Sequence, residues 1–211
     1  MKQLALSVAN YHDTYHCFPP AYVTDEEGHP MHSWRVLILP FLGKLKLYNQ
    51  YDFSEPWDSQ DNLKLLRWRP QAFGLHGGDN KGTHTNYLAV LGPRTMWPFE
   101  ETVTFDSVTD GPSGTIHFVE NVGSNIQWTE PRDLSLDTMP MTLVNDPADG
   151  ISSWFQPPGA VTADGRVISL DVNIPARELR EMLLINDGQG AAVSVRTLQD
   201  GRSRPMKSGR D

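Results

Sequence analysis

The sequence predicts an α+β fold, with one N-terminal helix packed on a mainly antiparallel sheet and helical and loop insertions between. Three stretches carry that expectation. Residues 1–17 place Met1, Leu4, Val8, Tyr11 and Tyr15 at helical spacing, so one apolar stripe faces inward. Residues 85–91 (TNYLAVL) and 115–120 (TIHFVE) are short runs rich in strand formers. Residues 160–170 (AVTADGRVISL) flank Asp164-Gly165 with Val161 and Ala163 on one side and Val167, Ile168 and Leu170 on the other, a hairpin pattern.

Taken in order, the first helix has a firm stop and no start. Pro19 and Pro20 cannot continue it, and Pro19 drives Phe18 out of the α region. A helix beginning at Met1 without a cap suggests a chain cut from something longer. Residues 23–32 are polar, with Gly28 and Pro30, and read as a surface loop. The apolar run 33–53 follows, with Ser33 suited to cap a short helix and Pro40 to break it or open a second. Phe41, Leu45 and Tyr48 continue a helical stripe there. Asp58 or Ser59 caps a further helix through about Arg67, with Leu63 and Leu66 turned inward.

Residues 72–84 are a glycine-rich loop, and 102–105 (TVTF) a short strand. Asp110-Gly111 marks a turn, and residues 126–129 offer an edge strand. Residues 133–158 carry no firm element. Pro175 opens a last helix over 177–184, ended by Asn186-Asp187-Gly188, and 191–198 is strand-like. Residues 1–198 read as one globular domain and 199–211 as a disordered polar tail.

Composition narrows the function classes. With 18 basic and 26 acidic residues the net charge is −8, and no basic run offers a footprint for nucleic acid or an anionic membrane. The lone Cys17 excludes an internal disulfide and a four-cysteine zinc site. No apolar run approaches the roughly 20 residues that span a bilayer.

Several residue groups could carry chemistry. His12 and His16 lie four apart, as metal-binding pairs do, but lack the glutamate of an HExxH motif; the competing reading is a pair of capping histidines at a helix C-terminus. His76, Asp79 and His84 sit in the glycine-rich loop, where a cation could be held. Asn145, Asp146 and Asp149 have the oxygen density that calcium takes, without the EF-hand pattern. Ser152 and Ser153 follow Gly150 without a GxSxG elbow, and Cys17 has His16 only as a chain neighbour. No glycine-rich phosphate loop occurs. The residues point to no catalytic set and no required cofactor, and a non-enzyme is expected.

The phrases KQLALSVANYHDTYHCFPPAY, SWRVLILPFL, LYNQYDFSEPWDS, TNYLAVLGP, VTDGPSGTIHFVEN and WTEPRDL, in that order, resemble a bacterial family abundant in planctomycetes. That family is the DUF1559, prepilin-like H-x9-DG family. The resemblance implies a type IV pilin-like or pseudopilin-like protein of the cell envelope, with residues 1–17 as the lower half of a longer helix. Its partners would be other pilin-like subunits or envelope components. Trp34, Trp57 and Trp128 fall in shared blocks and are expected to pack the core. His12 matches the family's NYH phrase. Asp164-Gly165 matches the DG of the signature, but ten residues before Asp164 stands Trp154 where the family has histidine. The surviving half of that motif reads as a turn and packing device. The competing reading, from another class, is a soluble module binding carbohydrate or calcium.

Overall fold

The computed structural model describes residues 1–75, 82–143 and 148–186, together with the strand 196–197. Helix α1 spans Lys2–Tyr15, and His16 ends it in the left-handed conformation (φ 61°), its N–H donating to the His12 carbonyl. The helix therefore stops before the prolines. Leu4, Ala5, Ser7 and Val8 are its buried residues. Tyr15, expected on the inner stripe, is exposed in the last turn of the helix, its ring beside those of Tyr11 (4.5 Å) and Phe41 (6.2 Å) at the surface.

Residues 23–32, expected as a loop, contribute instead to an antiparallel pair, β1 (Tyr22–Thr24) and β2 (Pro30–Ser33). Pro30 sits at the start of its strand, where a missing donor is tolerated, and Gly28 (φ 86°) supplies the turn. Helix α2 (Trp34–Leu37) begins at Ser33, whose Oγ accepts from the Arg35 N–H as anticipated. Pro40 then opens a 3-10 turn, Pro40–Leu42, and α3 covers Leu45–Tyr48. Gly43 (φ 68°) breaks the helical phase between them. The stripe read through Phe41, Leu45 and Tyr48 fails at Leu45, which is exposed while Leu42 and Leu47 are buried; Phe41 and Tyr48 are half-buried.

Helix α4 (Gln60–Leu65) is capped by Ser59, whose Oγ accepts from the Asn62 N–H, and runs into a 3-10 turn, Leu66–Trp68. Leu65 and Leu66 face inward while Leu63 is exposed, a shift from the expected face. Asn62 organises the preceding loop. Its Oδ1 accepts from the Asp52 N–H (2.9 Å), and its Nδ2 donates to the carbonyls of Asp52 (2.9 Å), Glu55 (3.2 Å) and Pro56 (2.9 Å). Asn62→Asp would aim a carboxylate at three carbonyls in a buried site. A loss on the order of 3 kcal/mol is expected, read as a lower urea midpoint at unchanged slope; an unchanged midpoint would discount the bracket.

Strands β3 (Tyr87–Leu88), β4 (Val90–Leu91), β5 (Ile116–Glu120), β6 (Leu134–Ser135), β7 (Gly159–Thr162) and β8 (Val167–Ser169) follow. Helix α5 (Ala176–Leu183) and strand β9 (Arg196–Thr197) complete the order. The main sheet runs β3-β5-β7-β8-β9 with antiparallel pairing throughout, and β4 pairs β6 in parallel. The expected hairpin is present, with Gly165 (φ 82°) at its turn. Residues 102–105 form no strand; Phe105–Ser107 is a 3-10 turn. Residues 126–129 give a single bridge, His84 to Gln127. Most of 191–198, and all of 199–211, lie outside the described residues.

Every residue of β5 is buried because the sheet is covered on both faces. One face meets α1: Leu4 and Val8 share a core with Phe118, Val161, Trp34 and Trp97. The other meets α5, where Leu179, Met182 and Leu183 pack with Ile116, Val119, Ala160 and Ile168. A register shift between Ile116 and Phe118 makes this possible. A bulge sets two residues against one and re-aims a side chain. His117 and Phe118 consequently both join the aromatic cluster on the α1 side.

Helix α1 lies along the β7–β8 hairpin. A Cβ at Gly159 would meet the Met1 Sδ at 3.0 Å and Cε at 2.8 Å, and one at Gly165 would stand 3.9 Å from the Ala5 Cβ. Asp164 closes the turn, accepting from the Thr162 hydroxyl (2.5 Å) and the Arg166 guanidinium (2.7 Å). Those bonds hold its carboxyl below the usual range although its partial burial pulls the other way.

Candidate functional site

A cleft of about 160 Å³ opens between the 3-10 turn after α4 and the ends of β3 and β5. Arg69, His84, Thr85, Asn86, Asn125 and Trp154 are among its lining residues. Most of its polar groups are fixed by the backbone. Arg69 Nε donates to the Gly82 carbonyl (2.7 Å). Asn86 accepts from the Leu75 N–H (3.0 Å) and donates to the Asn121 carbonyl (3.0 Å). Thr85 Oγ1 donates to the Tyr87 carbonyl (3.1 Å). Trp154, which stands at the position of the signature histidine, is 40 % exposed at the rim. An exposed indole beside amide, imidazole and guanidinium groups is suited to stacking and hydrogen-bonding a small polar ligand.

The other residues singled out from the sequence are dispersed. His12 and His16 form no metal pair: the His12 ring packs on Phe18 (4.7 Å) and Phe105 (4.6 Å), and His16 is the exposed helix cap. His84 reaches the cleft, while His76 and Asp79 lie outside the described residues. Of the oxygen-rich loop, Asn145 and Asp146 also lie outside them, and Asp149 is exposed. The carbonyls on either side of Asp149, from Ala148 and Gly150, accept from Asn121 Nδ2 (3.2 and 2.7 Å). Ser152 Oγ accepts from the Val122 N–H (3.1 Å), tying its loop to the end of β5, and Ser153 Oγ accepts from the Phe155 N–H (3.2 Å) in a local turn. Trp34 and Trp128 are fully buried as expected, and Trp57 is half-buried.

Three arrangements escaped the sequence reading. The first is a buried ion pair between Arg35 and Asp133, whose side chains are 0 % and 1 % exposed. Burial pushes the Asp133 carboxyl up to about 6, against the pull of Arg35 and of the Ala89 N–H. Its place against the Arg35 guanidinium and the Ala89 N–H makes it the counter-charge of the buried arginine. A lone arginine in the apolar run SWRVLILPFL was the available signal, since a buried charge needs a partner. The second is Asp25, Glu27 and His29 in the β1–β2 turn, whose ligand atoms lie within 4.8 Å of one another. Asp25 there accepts from the His29 N–H (2.7 Å) and approaches its ring (3.1 Å), and the His29 N–H leads in holding its carboxyl below the usual range. The third is His117, buried with its Nε2 lacking any hydrogen bond.

The N-terminal segment, from α1 through α4 and on to Phe73, is a continuous unit of short elements that meets the sheet through Leu4, Val8 and Trp34. Residues 1–73 match the family model of DUF1559, a protein of unknown function. No curated protein and no solved structure matches the chain. The DUF1559 match ends ahead of the sheet strands. It includes Arg35 and Arg69 but not their partners Asp133 and Gly82, so the matched segment is tied to the rest of the chain by charged and polar contacts as well as by the core.

Proposed function

We propose that this chain is the head of a pilin-like or pseudopilin-like cell-envelope protein, acting in assembly or surface presentation and not in catalysis. One observation carries the reading. The N-terminal helix comes first and beds lengthwise on an antiparallel sheet, with Met1 over Gly159 and Ala5 beside Gly165. The Asp164-Gly165 turn then serves as the seat of the helix, which suits a structural motif better than a chemical one. Among the described residues no helix is long and apolar enough to cross a membrane. Partners in this reading are other pilin-like subunits or envelope components. In native cells, antibody against this chain is expected to find the gene product in the envelope fraction, open to added protease. Recovery in the cytosolic fraction would sink the proposal.

The cleft beside Trp154 favours a second reading, a carbohydrate-binding module. Titration calorimetry with neutral and acidic oligosaccharides should then give binding that Trp154→Ala reduces at least tenfold without changing the melting temperature. Absence of heat across both sets would remove this reading. Calcium binding by Asp149 and its neighbours would be seen as a raised melting temperature on adding the ion.

A further inference from the structure

Two imidazoles flank one phenylalanine where the end of α1 meets the sheet. Phe18 packs against the His12 ring (4.7 Å) and the His117 ring (4.8 Å). Phe105 lies against His12 (4.6 Å) and Trp97 against His117 (4.9 Å). The Nε2 atoms of both histidines are buried without a hydrogen-bond partner. His117 is 3 % exposed. Its carbonyl, unlike its ring, is satisfied by the Trp97 indole N–H.

Among the described residues, the surroundings of the two rings offer a proton no counter-charge. From α1 comes His12 itself, with Asp13 and His16 exposed. The strap after the helix presents Phe18 and half-buried Cys17, and the 105–107 turn presents Phe105 while Asp106 is exposed. On β5 the carboxylate of Glu120 stands at the strand's far end, accepting from the Gly159 N–H (2.8 Å). An imidazolium formed here would be a buried cation ringed by aromatic carbon.

The C-terminal half of α1 is also the weakly held half. The buried residues of the helix end at Val8, and the inward side chains beyond it are half-buried Tyr11 and His12. The core between the sheet and α5 contains no residue of α1, so it can persist when that half lifts. Segments with few buried contacts open with the least free energy.

We propose that His12, Phe18 and His117 form an acid-operated latch: proton uptake by His117, packed against Phe18 beneath His12, frees the end of α1 and the strap to Pro20 while the sheet stays folded. Burial, with His12 as the lesser cause, pushes the docked His117 down to about 3. The released ring returns to its ordinary value near 6.5. The released state thus binds more protons between those two values, so docking is fully present above about pH 6.5 and weakens as pH falls. One histidine makes opening up to about tenfold easier per pH unit below that point.

Hydrogen–deuterium exchange on the full chain at pH 7.5 and 5.0, corrected for intrinsic rates, tests the latch. Protection of residues 10–18 should fall at least tenfold at pH 5.0, with residues 116–120 and 159–169 unchanged. His117→Phe should keep the helix end protected at the lower pH. A loss spread evenly over the chain, no loss at all, or the same loss in His117→Phe overturns the proposal. Should that variant fail to fold, histidine NMR of the wild-type chain decides. The buried His117 imidazole must titrate at the pH where protection is lost, and its titration with the helix end still protected overturns the latch.

Discussion

Replacing Asp133 by alanine should cost the fold about 3–5 kcal/mol, the amount expected when a buried charge loses its partner. Arg35 has no route to water, its side chain being 0 % exposed. Its Nη1 donates to Ser33 Oγ (2.7 Å) and the Glu130 carbonyl (3.2 Å), and its Nε to the Tyr87 carbonyl (3.4 Å). Its Nη2 meets the Arg132 carbonyl (3.5 Å) and Asp133 Oδ1. The carbonyls satisfy the donors but do not cancel the charge; Asp133 does. The same Oδ1 also accepts from the Ala89 N–H (2.8 Å), so alanine would orphan that donor as well. Arg35→Met combined with Asp133→Leu removes both charges together and should be far less damaging than Asp133→Ala alone. Urea midpoints for the two variants check this. If the single change costs less than the double, the pair is not what holds α2 to the 130–133 segment.

How legible this arrangement was depends on whether a signal was local. Ser33 and Ser59 were readable as caps because a cap is decided within three residues, and the structure places both as expected. The Asp164-Gly165 hairpin was readable for the same reason. Faces of short helices were not. Leu45 and Leu63 carry the right chemistry for a core, but Gly43 resets the helical phase before one. The other sits on a helix of six residues that turns 3-10 at Leu66, bringing Leu65 and Leu66 inward instead. The β5 bulge was equally hidden, since alternation alone sends His117 and Phe118 to opposite faces. The candidate cleft was half legible. Trp154 and His84 were singled out, but Arg69, Asn86 and Asn125 come together only through pairing between distant segments. Arg35 and Asp133 are 98 residues apart, and neither was singled out, although an arginine inside an apolar run was a signal open to use.

Tryptophan supplies the sharpest contrast between residues that hold the fold and residues free to meet a ligand. Trp34→Ala should lose about 3–5 kcal/mol, the usual cost of emptying a buried aromatic site. Its ring is 0 % exposed and lies against Trp97 (5.0 Å), Phe118 (6.0 Å) and Phe73 (6.4 Å). The Arg35 guanidinium rests 4.9 Å from the same ring, so the void would also loosen one side of the buried ion pair. Those neighbours belong to the sheet, the glycine-rich stretch and the chain between β4 and β5. They cannot collapse onto an alanine together, because each is fixed by its own backbone pairing. Trp154→Ala, at a site 40 % exposed, should move the urea midpoint little. If the two substitutions prove equally costly, Trp154 is a packing residue and the cleft loses its claim to be a binding surface. If Trp34→Ala is the mild one, the joint between the DUF1559 segment and the sheet must rest on Leu4 and Val8 of α1 instead.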